Sequence, residues 1–208
     1  MGEDEDFDER AATWDDDLER MARVRRVAAV MRSVVPLDGH PVTVELGSGT
    51  GMLARCLADV LGPTTLLDAS PAMIEVASKA LASERLEGWS AAVADLAEGI
   101  PGGPYELALA QMFLHHVDDV PALLGELRRV MAPGGVVAIA DLDHDAAKRY
   151  HATVVDFHGH HGFCRDELRD WLEEAGYRDV CFHDAGVVGK EVDGERQDFP
   201  MFLAVAKA

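Results

Sequence analysis

The stretch Val42-Thr43-Val44-Glu45-Leu46-Gly47-Ser48-Gly49-Thr50-Gly51 decides the fold of this chain. Its first half is mostly apolar and β-branched, which predicts a buried strand over residues 42–46. Three glycines follow within five residues, and they allow a backbone approach that a Cβ would block. A helix is predicted from about Met52. Such a turn commonly holds a nucleotide-like ligand, because free N–H groups point out of the helix N-terminus.

Two other interpretations of this turn remain open at this point. The dinucleotide-binding pattern G-x-G-x-x-G is met by Gly47 and Gly49, but its last position is occupied by Met52. A nucleotide-dependent oxidoreductase is therefore disfavoured. The turn could also join a strand to a helix without holding any ligand. The residues at the ends of the other strands bear on this choice.

The segment Glu45-Leu46-Gly47-Ser48-Gly49-Thr50-Gly51 resembles the first motif of the class I S-adenosylmethionine (SAM) dependent methyltransferases. In that family this turn binds the methionine end of the cofactor. The resemblance implies cofactor contacts from five residues of the turn: Glu45, Gly47, Ser48, Gly49 and Gly51.

Strands and helices alternate along most of the chain, which predicts β-α-β units and a parallel sheet. The last two strands have no helix between them and predict a hairpin. The expected fold is an α/β, Rossmann-like sheet of seven strands, mostly parallel, with helices on both faces and an antiparallel last strand. Strands are predicted at 42–46, 64–68, 89–94, 105–110, 136–142, 178–183 and 201–206, and helices at 52–61, 71–83, 121–131 and 166–175, with a turn at 132–135.

The 208 residues predict one domain. Residues 1–35 are expected to form a lid arm and a helix, residues 42–142 the cofactor-binding half, and residues 143–208 the acceptor-side half. A net charge of −19 argues against nonspecific binding of nucleic acid, which needs a basic face. The absence of a long apolar run and the three scattered cysteines predict a cytoplasmic protein without a membrane segment. The oligomeric state stays open.

Acidic residues follow the next two predicted strands. Asp68 lies 17 residues after Gly51, where a carboxylate can accept both ribose hydroxyls of a nucleoside. The segment 68–73 also resembles the family's D-x-S-x-x-M, which implies that Ala69 and Met73 contact the adenosine. By the same resemblance Asp95 binds the adenine amine and the Leu96 N–H binds the ring.

Residues 110–119, AQMFLHHVDD, resemble the family's fourth motif, A-x-x-x-L-H-H-V-x-D. The resemblance places this segment where the methyl group leaves the sulfonium, with Gln111 near the cofactor and Phe113 near the acceptor. The motifs of base-amine, cytosine-C5 and protein-arginine enzymes are absent. The similarity is to the small-molecule branch of the ubiquinone and menaquinone methyltransferases. His115 and His116 are candidate general bases by position, and a structural role in the loop is the alternative.

The N-terminal arm contains two large aromatic side chains within an acidic run. Phe7 to Asp15 reads FDERAATWD and resembles the F-D-x-x-A-x-x-W/Y-D segment of small methyltransferases. In those proteins the segment folds over the cofactor. The resemblance therefore predicts that the arm is a lid and that Trp14 contacts the cofactor.

Histidines are concentrated after the fifth predicted strand. His144, His151 and His158 are seven apart and would share one face if residues 145–158 were helical. His158 is a further candidate base, and His160 and His161 are expected to line the acceptor pocket. A metal site with Cys164 is an alternative, but the spacing fits no standard pattern, so no metal is predicted. Solvated or loop-capping histidines are the third possibility.

These patterns predict an enzyme that transfers a methyl group from SAM to a small-molecule acceptor and releases S-adenosylhomocysteine. SAM already carries an activated methyl group, so the site must chiefly hold the acceptor in line and exclude water. A SAM-binding regulatory or partner protein without catalysis is the alternative. The sequence identifies neither the acceptor nor its reacting atom.

Overall fold

The computed structural model describes residues 3–145, 148–152 and 157–208. Over these residues it contains six α-helices, seven strands and two short 3₁₀ segments, at Ala11–Asp16 and Leu114–His116. The α-helices are α1 Glu3–Arg10, α2 Leu18–Val34, α3 Met52–Cys56, α4 Pro71–Glu84, α5 Val120–Val130 and α6 Arg165–Glu174. The strands are β1 Thr43–Leu46, β2 Thr64–Asp68, β3 Ser90–Val93, β4 Tyr105–Gln111, β5 Met131–Leu142, β6 Arg178–Val192 and β7 Glu195–Lys207.

The strands form one sheet in the order β3-β2-β1-β4-β5-β7-β6. The pairs along β3, β2, β1, β4 and β5 are parallel, and β7 runs antiparallel to both of its neighbours. The predicted seven-stranded sheet with a reversed last strand is therefore confirmed. The strand order reverses direction at β1, and β1 and β4 leave a crevice at their carboxyl ends where ligands bind in such folds.

Helices cover both faces of the sheet, as predicted. Successive residues of β4 show why, because Leu107 and Leu109 belong to one core layer while Ala108 and Ala110 belong to the other. The first layer includes apolar residues of α2, α3 and α4, and the second includes those of α5 and α6. Because helices cover both faces, all four residues of β1 are buried, including the polar Thr43 and Glu45.

The helix starts follow ordinary capping rules. Asp17 accepts hydrogen bonds from the N–H groups of Glu19 and Arg20, each at 2.9 Å, and so begins α2. Ser70 is the N-cap of α4, and its hydroxyl accepts the N–H of Met73 at 3.1 Å. No helix within the described ranges has the length and apolar character needed to cross a membrane.

Several predicted boundaries are wrong. Helix α3 ends at Cys56, and residues 57–60 continue as turns. Strand β5 begins at Met131, because Met131 pairs with Tyr105 before the register shifts; the predicted turn at 132–135 lies within this irregular strand. The irregular start of β5 depends on its pairing with β4, so the sequence of residues 131–135 alone does not predict it.

The last two strands form the predicted hairpin, but both are longer than the predicted ranges 178–183 and 201–206. Strands β6 and β7 continue as a long hairpin that closes at Asp193 and Gly194, with φ of +56° and +80°. An Asp-Gly pair with positive φ at both positions is the favoured two-residue hairpin turn. The shared helical face proposed for His144, His151 and His158 is not found, since no described part of residues 145–158 is helical. Residues 146–147 and 153–156 of that segment lie outside the description.

Candidate active site

A cavity of about 790 Å³ lies at the carboxyl ends of β1, β2 and β4. Eleven of the twelve residues predicted to bind the cofactor line it. These are Trp14, Glu45, Gly47, Ser48, Gly49, Asp68, Ala69, Met73, Asp95, Leu96 and Gln111. The exception is Gly51, the N-cap of α3, where an added Cβ would lie 2.4 Å from Leu66 Cδ1. Gly51 therefore serves close packing of helix against strand.

The glycine turn forms the floor of the cavity in a left-handed conformation. Gly47 has φ of +56°, and a Cβ there would lie 2.1 Å from Phe113 Cδ2. Gly49 has φ of +53°, but its nearest neighbours would be Trp14 Nε1 at 3.8 Å and Met73 Sδ at 3.9 Å. Gly47 is thus required by the fold, whereas the space above Gly49 opens into the cavity.

Asp68 holds the glycine turn against the end of β2. Its Oδ2 accepts the N–H of Gly49 at 2.7 Å, and its Oδ1 accepts the N–H of Ser70 at 2.9 Å. One carboxylate therefore fixes the turn after β1 and the start of α4. Its position at the strand end also leaves it in the cavity wall.

Glu45 is a buried acid beside the start of α3. Its Oε2 accepts the N–H of Ala54 at 3.1 Å. Burial raises the pKa of Glu45 to about 8, although the hydrogen bond from Ala54 acts in the opposite direction. The carboxyl group is therefore largely protonated at neutral pH, and a cation bound in the cavity would favour its ionised form.

Three buried polar atoms around the cavity have no hydrogen-bond partner among the described residues: Ser48 Oγ, Gln111 Oε1 and Arg23 Nε. An unpaired buried polar atom is costly, so three around one cavity indicate a polar ligand. Arg23 and Arg20 are the cationic residues among the described lining. Sequence reasoning missed both, because they lie on the helix that precedes the glycine turn, outside every motif that predicts cofactor contacts.

The N-terminal arm closes one side of the cavity. Trp14 lies below the guanidinium of Arg20, with Cζ 3.7 Å from the ring centroid, and Phe7 packs edge-on against Trp14 at 5.7 Å. Two acids fasten the arm to the cofactor half. Asp8 accepts a hydrogen bond from the Ser70 hydroxyl, and Asp15 accepts from Thr50 Oγ1 at 2.6 Å and pairs with Arg55 at 3.2 Å.

The fourth motif contributes Gln111, Phe113 and His116 to the lining. Met112 has φ of +53°, an uncommon conformation for a residue with a side chain, and its N–H bonds to the Ala140 carbonyl at 2.8 Å. This local strain turns the chain so that Phe113 lies beneath Gly47. Burial lowers the pKa of His116 to about 3, with a further decrease from the neighbouring His115. His116 is therefore neutral at physiological pH.

His115 differs from His116. It is buried, it is not among the described lining residues, and its Nδ1 lies 2.7 Å from Asp141 Oδ1. Burial would raise the pKa of Asp141, but the adjoining His115 ring, the hydrogen bond to its Nδ1 and the N–H of Leu142 hold it below its usual value. No motif in the sequence indicated Asp141, which lies 26 residues away on β5.

The histidine-rich segment does not occupy the predicted acceptor wall. His158 is exposed, and neither it, His160 nor His161 is among the described residues that line the cavity. The reason is the close approach of Gly159, where a Cβ would lie 2.1 Å from the His115 carbonyl oxygen. His160 then donates its N–H to that oxygen at 2.7 Å, and its ring packs on Phe163. The catalytic and acceptor roles predicted for these residues stay predictions.

Within the described ranges, no group of three or more His, Cys, Asp or Glu side chains is arranged to hold a metal ion. His151 is 5% exposed and stacks on Phe157 with centroids 3.7 Å apart. Burial lowers its pKa to about 3, again with help from His115. His151 is therefore neutral at physiological pH, in a cluster of aromatic and histidine rings.

Comparison with known proteins identifies related sequences. The family model described as a methyltransferase domain matches residues 8–181. The chain is 34% identical over 136 residues to the biotin biosynthesis bifunctional protein BioCD of Bordetella avium, covering 62% of this chain and 27% of that protein. It is 33% identical over 111 residues to the ubiquinone biosynthesis O-methyltransferase of Caulobacter sp. (strain K31), covering 52% and 43%. It is 34% identical over 120 residues to the trans-aconitate 2-methyltransferase of Methylobacterium radiotolerans, covering 55% and 43%. The matches span less than half the length of these curated relatives.

Solved structures share the fold. The complex of the Trm112 methyltransferase activator and its methyltransferase from Haloferax volcanii contains a chain with a TM-score of 0.76 at 20% identity, with 97% of each chain covered. Phosphoethanolamine N-methyltransferase 2 of Haemonchus contortus, in complex with SAM, gives a TM-score of 0.71 at 16% identity, covering 87% of this chain and 51% of that one. Because the family model covers most of the residues, the chain belongs to the methyltransferase domain family, and its predicted place among the class I SAM-dependent methyltransferases is confirmed.

Proposed function

We propose that this chain transfers a methyl group from SAM to a small-molecule acceptor within the cavity. The observation that carries the proposal is that three buried polar atoms without a hydrogen-bond partner among the described residues lie around one cavity, at the ends of β1, β2 and β4. A polar ligand with a nucleoside at one end and an amino acid at the other matches this distribution. The volume, about 790 Å³, is within the range of sites that bind cofactors and small molecules.

Different residues of the cavity suit the ribose, adenine and methionyl parts of SAM. Asp68 suits the ribose hydroxyls, and Asp95 with the Leu96 N–H suits adenine, while Met73 offers an apolar face. Ser48 and the open space above Gly49 suit the methionyl chain. Glu45 would receive the ammonium group, since a nearby cation favours the ionised carboxyl.

Arg23 is the proposed partner of the methionyl carboxylate. It lines the cavity, and its buried Nε has no hydrogen-bond partner among the described residues. Arg23 also forms no ion pair with any acid among the described residues. Most basic side chains of a protein with a net charge of −19 can find an acid. An arginine that faces a cavity without one fits an anionic ligand group.

Bound SAM supplies the activated methyl group, so the chain must orient the acceptor and exclude water. Phe7, Trp14 and Phe113 provide apolar surface over the reacting end. The proposed base is His116, whose ring lines the cavity. Burial keeps the ring neutral by lowering its pKa, and the negative charge of Asp141 acts in the opposite direction and favours its protonation. A neutral imidazole can accept the proton that a hydroxyl or other acidic acceptor loses.

A small acceptor is supported by two observations. The arm covers the cavity through the contacts of Asp8 and Asp15, which leaves little room for a macromolecule. Two relatives are named for small-molecule methylation, of trans-aconitate and in ubiquinone biosynthesis. The strongly acidic composition also disfavours a nucleic-acid acceptor.

The test is a coupled assay for S-adenosylhomocysteine release across a panel of small phenols, carboxylic acids and amines. The proposal expects turnover that depends on one class of acceptor and is lost in Asp68→Ala. Cofactor binding without turnover of any acceptor would contradict it and would indicate a SAM-binding protein without catalysis.

A further inference from the structure

We propose that Asp141 and His115 form a positioning pair for His116, the histidine in the cavity wall. The pair itself touches neither cofactor nor acceptor. It would set the ring of His116 and stabilise the proton that His116 receives. The inference rests on the proposed function, because it concerns the fate of the proton that the acceptor loses.

Asp141 is held more firmly than packing alone requires. It is fully buried near the end of β5, and it accepts hydrogen bonds from His115 Nδ1 at 2.7 Å, the His115 N–H at 3.3 Å and the Leu142 N–H at 2.8 Å. Burying a carboxylate is costly, and a buried ion pair is weak evidence for stability. An apolar residue would close the core at lower cost, so the retained charge favours a functional role.

His115 is fixed from two sides. The carboxylate of Asp141 assigns the proton to Nδ1, since an acceptor at that nitrogen selects this tautomer. The carbonyl of His115 accepts the N–H of His160 at 2.7 Å, and Gly159 packs directly against it. The position of His115 is therefore determined by β5 and by the segment that follows it.

His116 lies between this pair and the arm. Its ring centroid is 4.1 Å from that of His115, with the planes tilted by 40°, and 5.6 Å from Phe7, which meets it edge-on. Of these three rings, those of His116 and Phe7 line the cavity and that of His115 does not. The ring of His115 thus packs behind that of His116 and fixes its position in the cavity wall.

The proposed step balances as follows. The acceptor atom forms a bond to the methyl carbon, the carbon–sulfur bond breaks, and its electron pair stays on sulfur. The proton of the acceptor moves to the imidazole of His116. The resulting imidazolium lies next to the ring that Asp141 holds, and the buried negative charge of Asp141 stabilises it.

The experiment compares two reactions in the full chain. One is methyl transfer from SAM to the acceptor identified by the panel, which must lose a proton. The other is methylation of bound S-adenosylhomocysteine by methyl iodide, in which sulfur attacks carbon, iodide leaves and no proton moves. The variants are Asp141→Asn, which keeps the shape and removes the charge, and Asp143→Asn. Asp143 follows the same strand and pairs with Arg165 at 2.7 and 2.6 Å outside the cavity lining, so it controls for loss of a structural pair.

The proposal expects Asp141→Asn to lower kcat of the protic reaction by about tenfold or more relative to the proton-free reaction, with the KM for SAM unchanged. Asp143→Asn should leave that ratio as in the wild type. An equal fall of both reactions in Asp141→Asn, or no fall, would overturn the positioning role.

If the wild type methylates S-adenosylhomocysteine but no protic acceptor, the proposed function fails separately. The pair is then decided by ¹⁵N NMR of imidazole-labelled protein with S-adenosylhomocysteine bound. A changed tautomer of His115 together with shifted His116 signals in Asp141→Asn would support the pair. Unchanged His116 signals would overturn it.

Discussion

Asp68 Oδ2 accepts the backbone N–H of Gly49 at 2.7 Å, so the carboxylate that ends β2 holds the glycine turn that follows β1. The two neighbouring strands therefore present their functional groups as one unit. The carboxylate proposed to bind ribose also sets the backbone proposed to approach the methionyl chain.

Replacing Asp68 with Ala should remove most of the thermal stabilisation that SAM or S-adenosylhomocysteine gives. The ribose acceptor is lost, the Gly49 N–H is released, and stabilisation by a ligand follows its affinity for the folded state. Differential scanning fluorimetry with saturating ligand measures the shift. Asp59→Ala is the control, since Asp59 is an exposed partner of Arg32. Equal ligand shifts in wild type and Asp68→Ala would refute the assignment, and a clear shift with NADH would favour an oxidoreductase.

Gly49→Ala should weaken cofactor binding beyond its effect on stability. The φ of +53° imposes strain of about 1–2 kcal/mol on any side chain, and the Cβ would project into the cavity. Gly134→Ala is the matched control, because Gly134 has φ of +79° with nothing within 4 Å of an added Cβ. Calorimetric titration of both variants with S-adenosylhomocysteine separates the effect of backbone strain, which both variants share, from obstruction of the cavity, which only Gly49→Ala should cause. Loss of affinity in neither variant would show that the cofactor does not pass over Gly49.

The arm should behave as a lid over the cofactor. Trp14 lines the cavity and packs on Arg20 and Phe7, so ligand binding should quench or shift its fluorescence. Trp89→Phe and Trp171→Phe leave Trp14 as the remaining tryptophan of the three. Deletion of residues 1–16 should weaken cofactor affinity while the far-ultraviolet circular dichroism stays that of a folded sheet protein. If the protein without residues 1–16 binds the cofactor as tightly as the full chain, the arm is not a lid.

Glu45 should make stability depend on pH in the protein without cofactor. Its folded pKa of about 8 is above its ordinary value of 4.5, so the folded state binds the extra proton between these values. The free energy of unfolding should fall as pH rises through this window, by about 1.4 kcal/mol for each pH unit. Urea unfolding at several pH values would show this fall in the wild type and its absence in Glu45→Gln. Parallel curves for the two proteins would contradict the buried, protonated state of Glu45.

Arg23→Met should weaken binding of S-adenosylhomocysteine more than binding of 5′-methylthioadenosine, which lacks the amino-acid end. The reason is the lost partner for the carboxylate, and the expected difference is on the order of tenfold or more, as for a charged hydrogen bond. Arg25→Met, on the exposed side of α2, is the control. An equal loss of affinity for both ligands would contradict the assignment of Arg23 to the methionyl carboxylate.

The sheet and most of the residues that line the cavity were predictable because their signals are local. A strand followed by glycines, or by Asp68 or Asp95, carries its position in the sequence itself, and the sheet brings the strand ends together. The cavity lining includes all of these except Gly51. Gly51 matched the motif, but its missing side chain serves contact with Leu66.

The remaining features depend on contacts between distant segments. The carboxylate that fixes His115 comes from Asp141 on a different strand, and the segment around Gly159 turns away from the cavity because it docks on the His115 carbonyl. No periodic pattern in the sequence predicts the contact of Asp141 with His115 or that of Gly159 with the His115 carbonyl. Arg23 escaped notice because a helical arginine has the same local pattern whether it meets solvent or a cavity. The irregular start of β5 at Met131 similarly depends on Tyr105.

The most direct test of methyl transfer to a small molecule follows the label of [methyl-³H]SAM in a single turnover, with the protein in excess and the panel acceptor present. The account predicts that tritium appears in the low-molecular-weight product, with one S-adenosylhomocysteine formed for each methyl group transferred. Tritium that stays in SAM, or that enters protein or nucleic acid, would contradict it.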